Sequence, residues 1–232
     1  MADPNTFHFT LPANNRPPLS ELSEQLHPAF PFLTANRARS RGRDVFEVID
    51  TVVIHATAGF ATQHAVDTWR TVRASAHWIV PDEDEPQHEQ FVWATVAEAK
   101  AAIHVRDVIN VRRTVLGAGP NVNNRSLGVE IVNTQNVQDF RDQYSRWQVT
   151  ATARIVLYAW AKYPNLKHVI SHGKLDPGRR VDPGRQFPWD DFRQAVLSHS
   201  ALPAPNPLML EAAAADAAAE AAPHEGLGAC TP

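Results

Sequence analysis

The chain has 232 residues, of which 44% are hydrophobic and 20% are charged, a composition typical of folded globular proteins. Its 22 basic and 25 acidic residues give a formal net charge of −3, so no excess of basic charge favours a nucleic-acid partner. The single cysteine, Cys230, excludes an intrachain disulfide and a zinc finger built on several cysteines.

The two ends of the chain differ in composition from its middle. Residues 1–44 are rich in Pro, Asn, Arg and Ser and predict an irregular N-terminal arm. Residues 201–232 are rich in Ala and Pro and predict a tail that is either a short helix or disordered. The middle of the chain, residues 45–200, is therefore expected to fold as one domain.

Neither a secretory signal nor a membrane-spanning segment is evident in the sequence. The first residues lack the basic and apolar regions of a signal peptide, so we expect a protein that is cytoplasmic as synthesised. Delivery to the periplasm or to the outside by a non-classical route is left open. No apolar run is long enough to span a bilayer, which predicts no membrane insertion.

The first half of the middle section predicts a strand, a helix and a hairpin. Residues 46–55 form an apolar run rich in Val and Ile, typical of a buried central strand. Residues 62–73 have apolar side chains at helical spacing. Residues 75–80 and 90–94 predict two strands joined by an acidic turn, which we interpret as a solvated loop.

The second half continues the alternation of strands and helices. Residues 126–132 predict another apolar strand, and residues 149–162 predict a helix that Pro164 ends. A short strand at residues 168–171 and a final helix at residues 189–197 follow. We therefore expect an α/β fold with a mixed central β-sheet flanked by helices.

Three polar residues lie at or after the ends of apolar strands. His55 ends the first predicted strand, His172 follows a later one, and Asp182 comes ten residues after His172. Sites in α/β folds form at strand ends, and two imidazoles with one carboxylate suit a catalytic zinc that keeps one position open. Zinc lowers the pKa of water towards neutrality. Because the chain has 11 histidines, the spacing alone also allows ordinary surface or core roles.

Two further charged residues are candidates for chemistry. Glu130 lies inside an apolar strand, where an unpaired carboxylate is costly to bury. A general base and a structural salt bridge both account for it. Arg180 precedes Asp182 by two residues, so both side chains point to one side of an extended segment. Arg180 is then either an oxyanion-stabilising cation or a surface arginine in an Arg-rich loop.

Five sequence pieces occur in a characteristic order. They are VVIHAT at 52–57, ASAHWIV at 74–80, AIH at 102–104, NRSLGVEIVN at 124–133 and ISHGKLDPGRRVDPG at 170–184, which runs on to FPW at 187–189. Together they resemble the type-2 N-acetylmuramoyl-L-alanine amidase family. That family includes AmpD-like anhydromuramyl amidases, phage endolysins and peptidoglycan recognition proteins. The resemblance covers roughly residues 45–197 and implies the amidase fold of this family for the domain at 45–200.

The resemblance also implies roles for individual residues. His55, His172 and Asp182 match the zinc ligands of the family, and Glu130 matches its acid–base residue. Arg180 stands where the family has a stabilising lysine, which keeps the charge but changes the reach and the hydrogen-bond geometry.

Two residues are implied as substrate-binding. The Trp-His-Ala-Gly piece of the family appears here as Ile103-His104-Val105-Arg106, so that only His104 is kept. Asn124 is expected to order the loop before the Glu130 strand or to contact sugar.

The function implied is zinc-dependent hydrolysis of the amide bond between N-acetylmuramic acid and L-alanine, in peptidoglycan or in muropeptides. A non-catalytic module that binds peptidoglycan is the first alternative, and a zinc hydrolase for another amide is the second. Three settings stay open: a recycling enzyme, an endolysin and a secreted effector.

Overall fold

The computed structural model describes residues 7–106, 115–117, 121–134 and 143–199. Its strands are β1 (His8–Thr10), β2 (Glu24–Leu26), β3 (Ala38–Ser40), β4 (Thr51–Ala56), β5 (Trp78–Val80), β6 (Val92–Ala94), β7 (Lys100–Ala102), β8 (Ser126–Ile131) and β9 (His168–Ser171). Its α-helices are α1 (Phe30–Asn36), α2 (Val45–Val48), α3 (Thr62–Thr71), α4 (Val122–Arg125), α5 (Arg146–Lys162), α6 (His172–Leu175) and α7 (Trp189–Ser198). The predicted tail, residues 201–232, lies outside the described residues.

A seven-stranded sheet has the order β1-β9-β4-β8-β5-β6-β2. Its four inner strands, β9, β4, β8 and β5, run parallel to one another, whereas β1 and β6 are antiparallel to β9 and β5. β2 runs parallel to β6, and β3 and β7 form a separate antiparallel pair. The prediction of an α/β fold with a mixed central sheet flanked by helices is therefore confirmed.

The central strand β4 is buried along its whole length, which explains its continuous apolar run. Its side chains alternate between the two faces of the sheet. Val52 and Ile54 pack in the core cluster that includes α5 and α7, whereas Val53 packs in a separate cluster. His55 shares the face of Val53, so its imidazole lies on the side of the sheet away from α5 and α7.

The longest helix, α5, begins with a reciprocal cap. The Ser145 hydroxyl accepts a hydrogen bond from the Gln148 N–H, and the Gln148 side chain accepts one from the Ser145 N–H. Val149, Val156 and Trp160 on one face of α5 are buried against the sheet, as the apolar spacing predicts. In the part of the chain that the structure describes, no helix has the length and apolar character needed to cross a membrane.

The first predicted strand begins later than the apolar run indicates. Residues 45–48 form α2, because the Asp44 carboxylate accepts a hydrogen bond from the Phe46 N–H at 2.8 Å and caps the helix. Strand β4 then starts at Thr51. The sequence pattern did not separate the two elements, since both contain Val residues.

Residues 7–44, predicted as an irregular arm, contain β1, β2, α1 and β3. Strand β1 pairs with β9, and Phe7 stacks on Trp189 with ring centroids 3.6 Å apart. Each of the three strands has three residues, too few to produce a recognisable alternation of polar and apolar side chains. Pairing with the sheet, rather than local propensity, therefore orders this segment.

The cap of α5 gives the first testable prediction. Ser145→Ala removes the acceptor for the Gln148 N–H and should lower the free energy of unfolding by about 1 kcal/mol. Thr150→Ala in the same helix removes a hydroxyl that bonds to the Arg146 carbonyl and should change it by less than about 0.5 kcal/mol. Urea denaturation measures both values, and equal effects of the two variants would contradict the capping role.

Candidate active site

Parallel pairing brings the ends of β4, β8 and β9 to one edge of the sheet. His55 is the fifth residue of β4, and His172 directly follows β9 as the first residue of α6. The Ser171 hydroxyl caps α6 by accepting a hydrogen bond from the Lys174 N–H. The Gly173 N–H donates to the Asp182 carbonyl at 3.0 Å, which returns the following loop to this edge.

The side chains of His55, His172 and Asp182 converge on one point. His55 Nδ1 and His172 Nδ1 are 2.9 Å apart. Asp182 Oδ2 lies 3.0 Å from His172 Nδ1 and 3.4 Å from His55 Nδ1. All three residues are buried. Ligand atoms around a tetrahedral zinc with bonds of 2.0–2.1 Å are about 3.3 Å apart, so this donor set fits zinc in chemistry and in spacing.

The protonation states of the cluster also suit a metal ion. Burial, followed by the neighbouring His172, lowers the pKa of His55 to about 4, whereas Asp182 acts in the opposite direction. The His55 ring is therefore neutral, as a metal ligand must be. Burial opposes ionisation of Asp182, but the contacts of its carboxylate with the His172 and His55 rings outweigh burial and hold the pKa of this carboxyl below its usual range.

Glu130 lies beside the cluster on the neighbouring strand. It pairs with His55 in the register of β4 and β8, so both side chains are on the same face. Its Oε2 is buried and has no hydrogen-bond partner among the described residues. Burial, followed by the charge of Asp182, raises the pKa of Glu130 to about 8, whereas Arg180 acts in the opposite direction. Without a metal, the Glu130 carboxyl therefore holds a proton at neutral pH.

A cleft of about 390 Å³ opens over these residues. His55, Glu130, His172, Arg180 and Asp182 all line it, so the structure brings together every predicted metal and catalytic residue. Helix α3 and the residues that follow it supply an apolar wall, which includes Trp69 and Val72. Concave sites with a few convergent polar groups and apolar walls are typical of small-molecule binding.

The two predicted substrate-binding residues lie in different places. His104 lines the cleft, and both of its ring nitrogens are within 2.9 Å of other side chains, those of His55 and Ser126. Asn124 is not among the described residues that line the cleft. Its Oδ1 accepts a hydrogen bond from Arg39 Nε at 3.0 Å, which ties α4 to β3.

Two residues of β8 near the site were not identified from the sequence. Ser126, Gly128 and Glu130 alternate along β8 and therefore share the face that carries the site. Ser126 contacts His104, and a Cβ added to Gly128 would lie 2.6 Å from His104 Cγ. The spacing of a small or polar residue at every second position in an apolar strand was the signal that could have found them.

A comparison with known protein families gives a match over most of the domain. A family model described as N-acetylmuramoyl-L-alanine amidase matches residues 45–185, which include every residue of the predicted metal and catalytic set. Among curated proteins, none matches this chain.

Two solved structures of AmpDh3 from Pseudomonas aeruginosa resemble the fold. One is 23% identical, with a TM-score of 0.53 over 79% of this chain and 77% of that one. The other, a complex with anhydromuramic pentapeptide, is 26% identical, with a TM-score of 0.52 over 71% of this chain and 72% of that one.

The environment of Glu130 gives a prediction on stability. Its pKa in the folded, metal-free protein is about 8, above the ordinary value of 4.5, so the unfolded chain releases this proton first. Glu130 should therefore lower the free energy of unfolding by an amount that grows as the pH rises from about 4.5 to about 8. Glu130→Gln should raise the melting temperature of the metal-free protein at pH 8 and change it little at pH 5.

The matched control is Glu83→Gln, in an exposed turn. It should shift the melting temperature by the same small amount at both pH values. A Glu130→Gln effect that is independent of pH would contradict the buried, proton-holding state of this carboxyl.

Proposed function

Because the chain belongs to the N-acetylmuramoyl-L-alanine amidase family, we propose that it is a zinc-dependent hydrolase of the amide bond between N-acetylmuramic acid and L-alanine. The observation that carries this proposal is the convergence of His55, His172 and Asp182 beside Glu130 in one cleft. Peptidoglycan or its muropeptide fragments are the proposed substrate. The complex of AmpDh3 with anhydromuramic pentapeptide supports this substrate class.

In this proposal His55, His172 and Asp182 hold the zinc ion. When bound there, zinc supplies a Lewis acid for the scissile carbonyl and lowers the pKa of water. Two neutral imidazoles and one carboxylate leave a net positive charge on the ion, which suits both tasks. The burial of all three ligands places the ion in surroundings less polar than bulk water, which would strengthen its effect on the substrate.

Glu130 is the residue that transfers a proton from the attacking water to the leaving amine. Its carboxylate takes a proton from the attacking water and returns it to the amine of the departing alanine. A carboxyl whose pKa lies near neutrality serves both steps, because it accepts and releases a proton at little cost. Its buried surroundings set its pKa at about 8, and a bound cation would lower this towards neutrality.

Arg180 acts on the oxygen of the scissile carbonyl. It is exposed, lines the cleft and precedes the ligand Asp182 by two residues. A guanidinium at this position stabilises the negative charge that develops on the carbonyl oxygen. Trp69 and Val72, on the apolar wall, contact the parts of the substrate that do not react.

The proposal is tested by digestion of purified peptidoglycan and mass spectrometry of the products. Release of stem peptides that begin with L-alanine, lost with a chelator and restored by zinc, is the expected result. Glu130→Gln should retain one zinc per chain and lose at least about 100-fold in turnover, because the proton transfer is lost. Glu83→Gln should retain full turnover.

Two outcomes would contradict the proposal. Intact muropeptides in the presence of stoichiometric zinc would indicate a binding module or a hydrolase for another amide. Near-normal turnover of Glu130→Gln would remove Glu130 from the mechanism.

A further inference from the structure

A chain of buried hydrogen bonds leads from His55 into the protein. His55 Nε2, on the side of the ring opposite the metal cluster, lies 2.9 Å from His104 Nδ1. His104 Nε2 lies 2.9 Å from Ser126 Oγ, and the Ser126 hydroxyl donates to the Val122 carbonyl at 2.6 Å. His55, His104 and Ser126 are all buried. We call the series of hydrogen bonds from His55 through His104 and Ser126 to the Val122 carbonyl the relay.

The last acceptor, the Val122 carbonyl, determines which atoms donate and which accept along this series of hydrogen bonds. The Val122 carbonyl can only accept, so the Ser126 hydroxyl donates its single proton there and its oxygen must accept from His104. His104 therefore carries its proton on Nε2. The two ring nitrogens of the buried His104 contact the His55 ring and the Ser126 hydroxyl, and no carboxylate of the described residues bonds to either of them, so the ring is neutral and its Nδ1 can only accept.

The same logic continues to His55. Since His104 Nδ1 accepts, the proton of His55 lies on Nε2, and His55 Nδ1 has a free lone pair. That lone pair faces His172 Nδ1 and Asp182 Oδ2, the other two donors of the cluster. We propose that His104 and Ser126 are positioning residues that hold His55 in the one tautomer and orientation able to bind the metal.

Helix α4 fixes two parts of this hydrogen-bond chain, its last acceptor and the backbone of His104. It supplies the terminal acceptor, the Val122 carbonyl. The next residue, Asn123, is buried, and its Oδ1 accepts hydrogen bonds from the N–H groups of His104 and Val105 at 3.1 and 2.9 Å. Its Nδ2 donates to the Val105 carbonyl at 2.5 Å. The backbone that carries His104 and the acceptor that orients its ring are therefore fixed to one element.

Gly128 provides the space for the relay. A Cβ at this position would lie 2.6 Å from His104 Cγ and 2.9 Å from two further ring atoms. The clash involves the inner ring atoms, which cannot move away without breaking the contacts to His55 and Ser126. Along β8, Ser126 thus orients the ring, Gly128 admits it, and Glu130 faces the cleft.

The second histidine of the cluster has no comparable support. His172 Nε2 is buried and has no hydrogen-bond partner among the described residues. Histidine ligands of zinc normally donate their other N–H to a carboxylate, a carbonyl or water, and loss of that partner weakens metal binding. Of the two histidines, only His55 therefore has its second ring nitrogen held by a protein side chain among the described residues.

This inference rests on the proposed zinc site, and zinc affinity is its first readout. His104→Leu removes the acceptor for His55 Nε2–H and should weaken zinc binding about 10- to 100-fold in competition with a chromophoric chelator. His104→Asn places an amide oxygen near the position of Nδ1 and should restore most of the affinity.

The matched control is His27→Leu. His27 is as buried as His104, at 8% exposure each, and its ring bonds to the Ala29 N–H outside the cleft. This variant should leave zinc affinity unchanged. Equal affinities of wild type and His104→Leu would overturn the relay while leaving the zinc site intact, whereas no zinc binding by wild type would contradict the proposed function.

The second readout needs no metal. Nitrogen NMR of the imidazole rings in the zinc-free wild-type protein should show His55 and His104 each protonated at Nε2 and bare at Nδ1. In His104→Leu, His55 should become a mixture of both tautomers. A zinc-free wild type in which His55 carries its proton on Nδ1 would overturn the proposal, whatever the zinc affinities are.

Discussion

The parallel pairing of β4 with β8 and β9 is the constraint on which the site depends. Its register places His55 opposite Glu130 and Ile54 opposite Ser171, so His172 follows directly at the same edge. Since strand side chains alternate, a slip of one residue would turn His55 towards α5 and Ile54 towards the cleft. One register therefore specifies both the burial of the apolar side chains of β4 and the convergence of His55, His172 and Asp182.

Two carboxyl groups in this cleft have opposite properties because their surroundings differ. Asp182 lies against two histidine rings and stays ionised, whereas Glu130 has a buried Oε2 with no hydrogen-bond partner among the described residues and holds a proton near neutral pH. In the proposed mechanism, this separation of two pKa values leaves Asp182 as a charged metal ligand and Glu130 as the group that transfers a proton. The unfavourable burial of Glu130 is a cost in stability that the fold tolerates at a functional site.

The sequence predicted the parts of the fold with long or periodic patterns. Strand β8 and helix α5 are long enough to be recognised, and the resemblance predicted His55 and Glu130, which the structure brings to one cleft, as site residues. Three-residue strands such as β1 carry no pattern of their own and form only by pairing with the sheet. The relay from His104 to Ser126 was equally hidden, because these residues are 22 positions apart and only the packing of β8 brings them together.

The central claim is that His55, His172 and Asp182 bind one zinc ion, and X-ray absorption at the zinc edge tests it most directly. The wild-type protein loaded with one equivalent of zinc should show four light-atom ligands at about 2.0–2.1 Å, two of them imidazoles. In His172→Ala the imidazole scattering should fall by half, or zinc should be lost. Identical spectra for the two proteins, or a sulfur ligand from Cys230, would place the metal elsewhere and contradict the account.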